Sequence, residues 1–462
     1  MKERLEKDAL GELAVAESAY WGIHTQRALA NFQVSGAKVP FRLIQALAMV
    51  KKAACLANLE LGYVEEAKAR AVLQAAEDII AGGLQNEFPL NTLQGGAGTS
   101  TNMNVNEVLA NRALEIMGRP KGDYSFIHPI ETANRHQSTN DVYPTAIKVA
   151  AIFLLRELSV EIALLQGVFQ KKEKEFGSIV KIDRTEYQEA VPITLGAEFS
   201  AFAEALSRDR WRVFKCEERL RVTNLGGTAV GTGLTAPKNY IFLVIEKLRE
   251  VTGLGLSRAE NLAGETAFAD SFVEVSGILK AHACNLIKIA NDLRLLNLLG
   301  EIKLPAVQAG SSIMPGKVNP VILEAVIQAA VEAKASDAVI AECVSRGTLQ
   351  INEFLPLAGY HLLSTLEHLA EINRMFVKHA GQILACEAGC RFYLEKSPVL
   401  LTAFLPHVGY ENAGALFQEF KNSGGENVRD FLNKKFGKDL VDKVLSPENL
   451  TQLGYRDGTK NT

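Results

Sequence analysis

The 462-residue chain has no long unbroken apolar run, little net charge and no clustered cysteines. Each absence removes a class of function. The most apolar stretch, around Ala150 to Leu155, is interrupted by Lys148, Arg156 and Glu157, too soon to span a bilayer. The first residues, MKERLEKDALGE, are charged where a secretory signal would be apolar. A net charge of −3 offers no support for a nucleic-acid or anionic-membrane surface. The six cysteines are scattered, and only Cys386 and Cys390 stand close, at helical i,i+4 spacing with no histidine cluster nearby. They read as reduced thiols rather than a disulfide framework or a metal site, and a cytoplasmic location is expected. Internal repeats, low-complexity runs and flexible linkers are also missing.

Two nucleotide-binding patterns fail on inspection. Gly310 to Val318 (GSSIMPGKV) has five residues between its glycines where a phosphate loop has four, and Val318 stands where the Mg²⁺-binding hydroxyl belongs. Leu225 to Gly233 (LGGTAVGTG) lacks GxGxxG spacing and reads as a turn between helices.

What the chain has in abundance is helical periodicity. The spacing predicts long helices over 146–171, 192–221, 267–299, 319–342 and 356–386, with Pro192 and Pro356 placed at helix starts. Before about residue 140 the helices are shorter and punctuated by Gly82-Gly83, Pro89, Gly95-Gly96 and Pro120. After about 388 a short tail turns at Pro398, Pro406 and Gly424-Gly425. Strand-like alternation is sparse. The class expected is mainly α, in three segments: a helical domain over 1–139, a central five-helix bundle over 140–388, and a small helical domain over 389–462.

Four polar segments interrupt this apolar background: Gly95 to Asn106 (GGAGTSTNMNVN), His136 to Thr145 (HQSTNDVYPT), Thr185 to Pro192 (TEYQEAVP) and Gly310 to Pro320 (GSSIMPGKVNP). Any one could simply cap helices. A cap needs one hydroxyl or amide, however, and these segments carry three or more in a row. Such a set can grip a carboxylate through neutral donors. Removing a proton beside a carboxylate creates a dianionic aci-carboxylate, which needs donors already aimed at its oxygens. A serine serves as base only if its alkoxide is stabilised, and Ser311 lies in the same loop as Lys317.

Read together and in order, these segments resemble the aspartase/fumarase superfamily, in its aspartase branch. GSSIMPGKVNP is similar to the superfamily's diagnostic loop. GGAGTSTNMNVNEVLANRA, QSTNDVYPTA, GGTAVGTGL, KIANDLRLL, HVGYE and the opening AYWGIHTQRALANFQVSG each resemble family counterparts. The resemblance implies a three-domain fold, a homotetramer with a central twenty-helix core, and active sites shared by three subunits. It implies Ser311 as the base at Cβ, with Thr99, Ser138, Thr139 and Ser312 holding the β-carboxylate. Lys317, Asn319 and Thr185 would bind the α-carboxylate, and Asn140 would lie near the amine. Neither a metal nor an organic cofactor is implied, and the only small-molecule partner is an amino-acid substrate.

The chain also departs from the pattern. The family's T-H-x-Q motif reads Thr185-Glu186-Tyr187-Gln188, so Glu186 replaces the active-site histidine. A carboxylate there favours an ammonium leaving group through a charge-assisted hydrogen bond and makes Glu186 a candidate catalytic residue. The usual H-V-N reads Thr132-Ala133-Asn134, followed by an unusual His136, which makes Thr132 and His136 candidate specificity residues. The S-G-P-R element after NDLRL is missing, and the chain runs NLLGEIKLPAVQAGSS.

The expected activity is carbon–nitrogen lyase chemistry: anti elimination of ammonia or an amine from aspartate or a similar amino acid. Three alternatives stay open: an amine lyase acting on a bulkier onium substrate such as a histidine betaine, a fumarate hydratase, and a non-catalytic family member.

Overall fold

The computed structural model describes residues 2–34, 36–424 and 427–454. It is mainly helical. An N-terminal hairpin, β1 (Glu3–Asp8) and β2 (Gly11–Ala16), is followed by α1 (Ile23–Asn31), α2 (Phe41–Glu60), α3 (Glu66–Ile80) and α4 (Thr99–Ile116). Then come α5 (Thr139–Glu175), a second hairpin β3 (Val180–Thr185) and β4 (Gln188–Thr194), α6 (Leu195–Leu220) and α7 (Lys238–Thr252). The short α8 (Leu262–Ala267) precedes three long helices, α9 (Asp270–Leu298), α10 (Val321–Val344) and α11 (Leu355–Ala380). Short helices fill the remainder to Thr451.

Helices α5, α6, α9, α10 and α11 are the five that periodicity predicts, and their ends fall within a few residues of expectation except at three places. One is the end of α11, which stops at Ala380 rather than 386 because Leu384 and Ala385 pair as strand with Lys303 and Ile302. α5 begins seven residues earlier than read, because Ser138 and Asp141 form a capping box. The Ser138 N–H donates to Asp141 Oδ1 at 3.0 Å, and the Asn140 N–H donates to Ser138 Oγ at 3.2 Å. Pro192 does not start a helix. It lies in β4 opposite Ile182, in a two-stranded ladder where a residue without an N–H is tolerated. Pro356 does sit in the first turn of α11.

The chain divides into two compact units. The first gathers residues up to Ser159 with Trp211–Ala283 and Ala329–Ala370. Its core is built on α2, whose Leu47, Val50, Ala53, Ala54 and Ala57 are wholly buried. Alanine along this helix lets α3, α4 and α7 pack close against it. The helix α1 has glycine at its N-cap and no capping side chain of its own. Glu107 on α4 supplies the missing acceptor, taking N–H groups from Gly22 (2.9 Å), His24 (2.8 Å) and Thr25 (3.2 Å).

The second unit holds Val160–Arg210, Cys284–Gln328 and the chain from Glu371 onward. Phe169 packs against Phe199, Phe202 and Phe376, all at ring-centroid separations of 5.8 to 5.9 Å. The β3–β4 hairpin is anchored by ions. Lys181, with no exposed surface, pairs with Glu198 at 2.7 Å and Glu301 at 2.9 Å. Arg184 reaches the other oxygen of Glu301 at 2.7 Å. Such a network holds its members tightly, because removing one partner strands a buried charge.

Candidate active site

The predicted site residues fall into two groups, one in each unit. In the first unit, Gly96, Ala97 and Gly98 all take positive φ (86°, 54° and 92°), winding the chain into the N-terminus of α4. Gly98 has no alternative: a Cβ there would stand 2.6 Å from the ring of Tyr143. This turn delivers Thr99 to the first position of the helix, where its hydroxyl donates to Gly96 O at 2.7 Å. Helix N-termini present unpaired N–H groups and a partial positive charge, a favourable setting for a carboxylate.

Ser138, Thr139 and Asn140 begin α5 beside this segment. Asn102 Nδ2 donates to Thr139 Oγ1 at 3.0 Å and ties the two together. The chain around Asn140 solves a further problem. Pro144 lies inside α5 and has no N–H to give the carbonyl four residues back. That carbonyl, Asn140 O, instead accepts Asn224 Nδ2 at 2.9 Å, while Asn140 Nδ2 donates to Ala229 O at 2.7 Å. The glycine-rich turn from Leu225 to Gly233 thereby clasps the start of α5, which gives that motif a structural purpose.

Thr132 and His136 are both engaged locally. Thr132 Oγ1 accepts the His128 N–H at 3.2 Å. His136, at φ 61°, places Nδ1 2.7 Å from Asn58 Oδ1, with its ring between Tyr63 (4.8 Å) and Tyr240 (5.2 Å). Burial pulls its pKa down, with the nearby Arg135 adding to the effect.

In the second unit, Thr185 and Glu186 lie at the tip of the β3–β4 hairpin. Thr185 pairs with Gln188, leaving Glu186 and Tyr187 as the two-residue loop. Both adopt left-handed backbone, φ 54° and 61°. Two-residue hairpin loops want that geometry, yet normally recruit asparagine or glycine for it. Glu186 and Tyr187 are exposed, Tyr187 to 81%.

The loop from Gly310 to Pro320 closes on itself at its neck. The Gly310 N–H donates to Lys317 O at 2.7 Å, and Asn319 Nδ2 donates to Gly310 O at 2.9 Å. A Cβ on residue 310 would lie 2.8 Å from Lys317 O, so glycine is required there. Asn319 therefore spends one of its two amide N–H groups on the neck of the loop and keeps the other. Within the loop, Ser311 Oγ accepts two backbone N–H groups, from Ile313 at 3.1 Å and Met314 at 2.9 Å. Donors aimed at a hydroxyl oxygen favour its ionised form. Ser312 and Lys317 are exposed on the same loop, which borders an open depression of about 430 Å³ lined by Ser311, Met314, Lys317 and residues 306–309.

Sequence reading missed the two N–H donors at Ser311, although a serine followed by free N–H groups two and three residues on is a recognisable turn signal. It also missed the buried side chains that hold the Ser138 segment from beneath. Those come from residues distant in sequence, and no spacing rule connects them.

The lyase family's sequence profile matches residues 11–334. An aspartate ammonia-lyase of Bacillus subtilis is 42% identical over 98% of this chain and 96% of its own. A class II fumarate hydratase of Thermosynechococcus vestitus is 40% identical over 91% and 92%. Among solved structures, a Brucella melitensis protein described as a fumarate lyase:delta crystallin, bound to cobalt, superposes with a TM-score of 0.94 at 42% identity, over 98% of this chain and all of that one. With the profile spanning more than half of its length and relatives matched nearly end to end, this chain is a lyase and belongs to the lyase family, within the aspartase/fumarase superfamily that its loops resemble.

Proposed function

We propose that the chain eliminates ammonia from aspartate to give fumarate, with Ser311 as the base. The observation that carries the reading is the pair of backbone N–H groups on Ser311 Oγ, which supports an alkoxide without a neighbouring histidine. The alkoxide takes the Cβ proton. The electron pair moves into the β-carboxylate as an aci-carboxylate, held by Thr99, Ser138, Thr139 and Ser312. Its collapse breaks the C–N bond, and the α-ammonium leaves as ammonia, giving fumarate and a neutral Ser311. Lys317, Asn319 and Thr185 hold the α-carboxylate, Asn140 lies near the amine, and Glu186 accepts a hydrogen bond from the leaving ammonium. A glutamate and a tyrosine kept in left-handed backbone cost stability, and such strain persists where a side chain is needed in place.

The two groups of residues meet in a homotetramer, each site drawing on three subunits. Large apolar side chains left exposed on the long helices support this assembly: Trp211 (59%) and Phe214 (60%) on α6, Leu164 (51%) on α5 and Leu298 (82%) on α9. The three-segment division at 139 and 388 and a cytoplasmic location belong to the same reading. Among the described residues, no helix is long and apolar enough to cross a membrane.

The likeness to a fumarate hydratase favours a second reading, hydration of the same double bond. A substrate screen decides between them. Incubation with aspartate should produce the ultraviolet absorbance of the conjugated diacid. Malate turnover without aspartate turnover would replace the ammonia-lyase reading with the hydratase. Turnover confined to onium amino acids would point to a betaine lyase, and inactivity on every amine and hydroxy acid tried would leave a non-catalytic member.

A further inference from the structure

Two ionisable side chains that the proposed chemistry does not use lie buried beneath the segment carrying Ser138, Thr139 and Asn140. Lys51, in the middle of α2, has no exposed surface. Its Nζ donates to Asn134 Oδ1 at 3.1 Å and to Gln137 Oε1 at 3.2 Å. The same Asn134 oxygen receives Asn102 Nδ2 at 3.3 Å and Asn106 Nδ2 at 3.2 Å from α4. Asn134 Nδ2 then donates to Gln137 O at 3.1 Å, closing the turn that leads into Ser138.

On the other side of the segment, Asp141 is equally buried. Its carboxylate accepts N–H groups from Ser138 (3.0 Å), Gly226 (3.1 Å) and Thr228 (3.0 Å). The segment is thus held from α2 and α4 below and from the glycine-rich turn beside it. The hydrogen-bond partners of Lys51 are neutral amide oxygens, and the charge it feels is that of Asp141. Burial pulls the Lys51 ammonium down to about 7 and pushes the Asp141 carboxyl up to about 6. A core that needed only to be filled would be better served by apolar side chains of the same volume.

We infer that Lys51 and Asp141 are a pair of positioning residues that hold Ser138, Thr139 and Asn140 in register for the substrate, an inference that rests on reading those three as substrate-binding groups. Neither side chain touches the reacting atoms. Their effect belongs to the transition state, where donors misplaced by a fraction of an ångström no longer meet the developing charge.

The test compares Lys51→Met, Asp141→Asn, the double variant and Thr139→Val in the full-length enzyme, reading kcat, KM for aspartate and Tm. Lys51→Met should lower kcat at least tenfold with KM changed less than threefold and Tm equal or higher. Asp141→Asn should lower both kcat and Tm, because its amide group faces N–H donors. The double variant should keep the lower Tm of Asp141→Asn, whose amide still faces the N–H groups of Ser138, Gly226 and Thr228, while kcat stays low. Lys51→Gln is read in the same way should Lys51→Met be insoluble. Full kcat in the Lys51 variant, or kcat losses that follow Tm losses across the set, would overturn the inference. If Thr139→Val keeps full kcat, the reading of the segment as substrate-binding fails and the inference falls with it. If Thr139→Val loses kcat and the Lys51 variant does not, only the positioning role fails.

Discussion

At the scale of single residues, the proposed site pairs a serine prepared by backbone donors, as base, with a strained hairpin tip, as leaving-group contact. Ser311 Oγ receives the N–H groups of Ile313 and Met314. Ser311→Ala removes the proposed base together with the acceptor of these two N–H groups. It should lower elimination by about 10²–10⁴-fold, the usual contribution of a positioned base. Exchange of the Cβ proton with deuterated solvent, followed by NMR, should vanish with it. Persistence of exchange would assign the base elsewhere. Glu186 can be separated from its backbone in the same spirit. Glu186→Gln keeps size and turn geometry but loses the charge. A hydrogen bond to a charged group contributes ~1.5–3 kcal/mol, so kcat for aspartate should fall about tenfold or more. Unchanged kinetics would exclude contact with the leaving amine.

At the scale of elements, the positions of the hydroxyls depend on turns rather than on the helices that follow them. Gly98→Ala shows the dependence. Left-handed backbone costs a non-glycine residue ~1–2 kcal/mol, and the new methyl would stand 2.6 Å from Tyr143. The variant should unfold at lower denaturant than wild type in urea titrations and lose activity beyond that loss of stability, because Thr99 moves with the turn. The long helices were legible in the sequence because burial imposes a period that survives without neighbours, and α5, α6 and α9 to α11 stand where the period places them. The β3–β4 hairpin was not. Its loop is Glu-Tyr where hairpin chemistry favours Asn-Gly, and its Pro192 reads as a helix start. The polar segments stood out in the sequence through their density of hydroxyls and amides. Their supports did not, since Lys51, Asn102 and Asn134 meet only after folding.

At the scale of the whole molecule, the exposed apolar faces of the long helices and the division of the site residues between two compact units bear on one question. With the proposed site residues divided between the units, assembly of several copies would bring complementary halves together. Trp211→Glu places a charge in the exposed apolar patch of α6. If α6 lies in the proposed subunit interface, sedimentation velocity should then show smaller species than the wild-type protein, with aspartate turnover falling in parallel. An unchanged sedimentation coefficient with normal turnover would remove α6 from the proposed interface. The β3–β4 hairpin carries a different consequence. Its ladder is secured along β3 by Lys181 and Arg184, paired with Glu198 and Glu301, so the two residues at its tip are free to vary without loosening the strands. Randomising codons 186 and 187 alone, with glycine and asparagine among the choices, should yield a library of folded enzymes that differ in which amine they release.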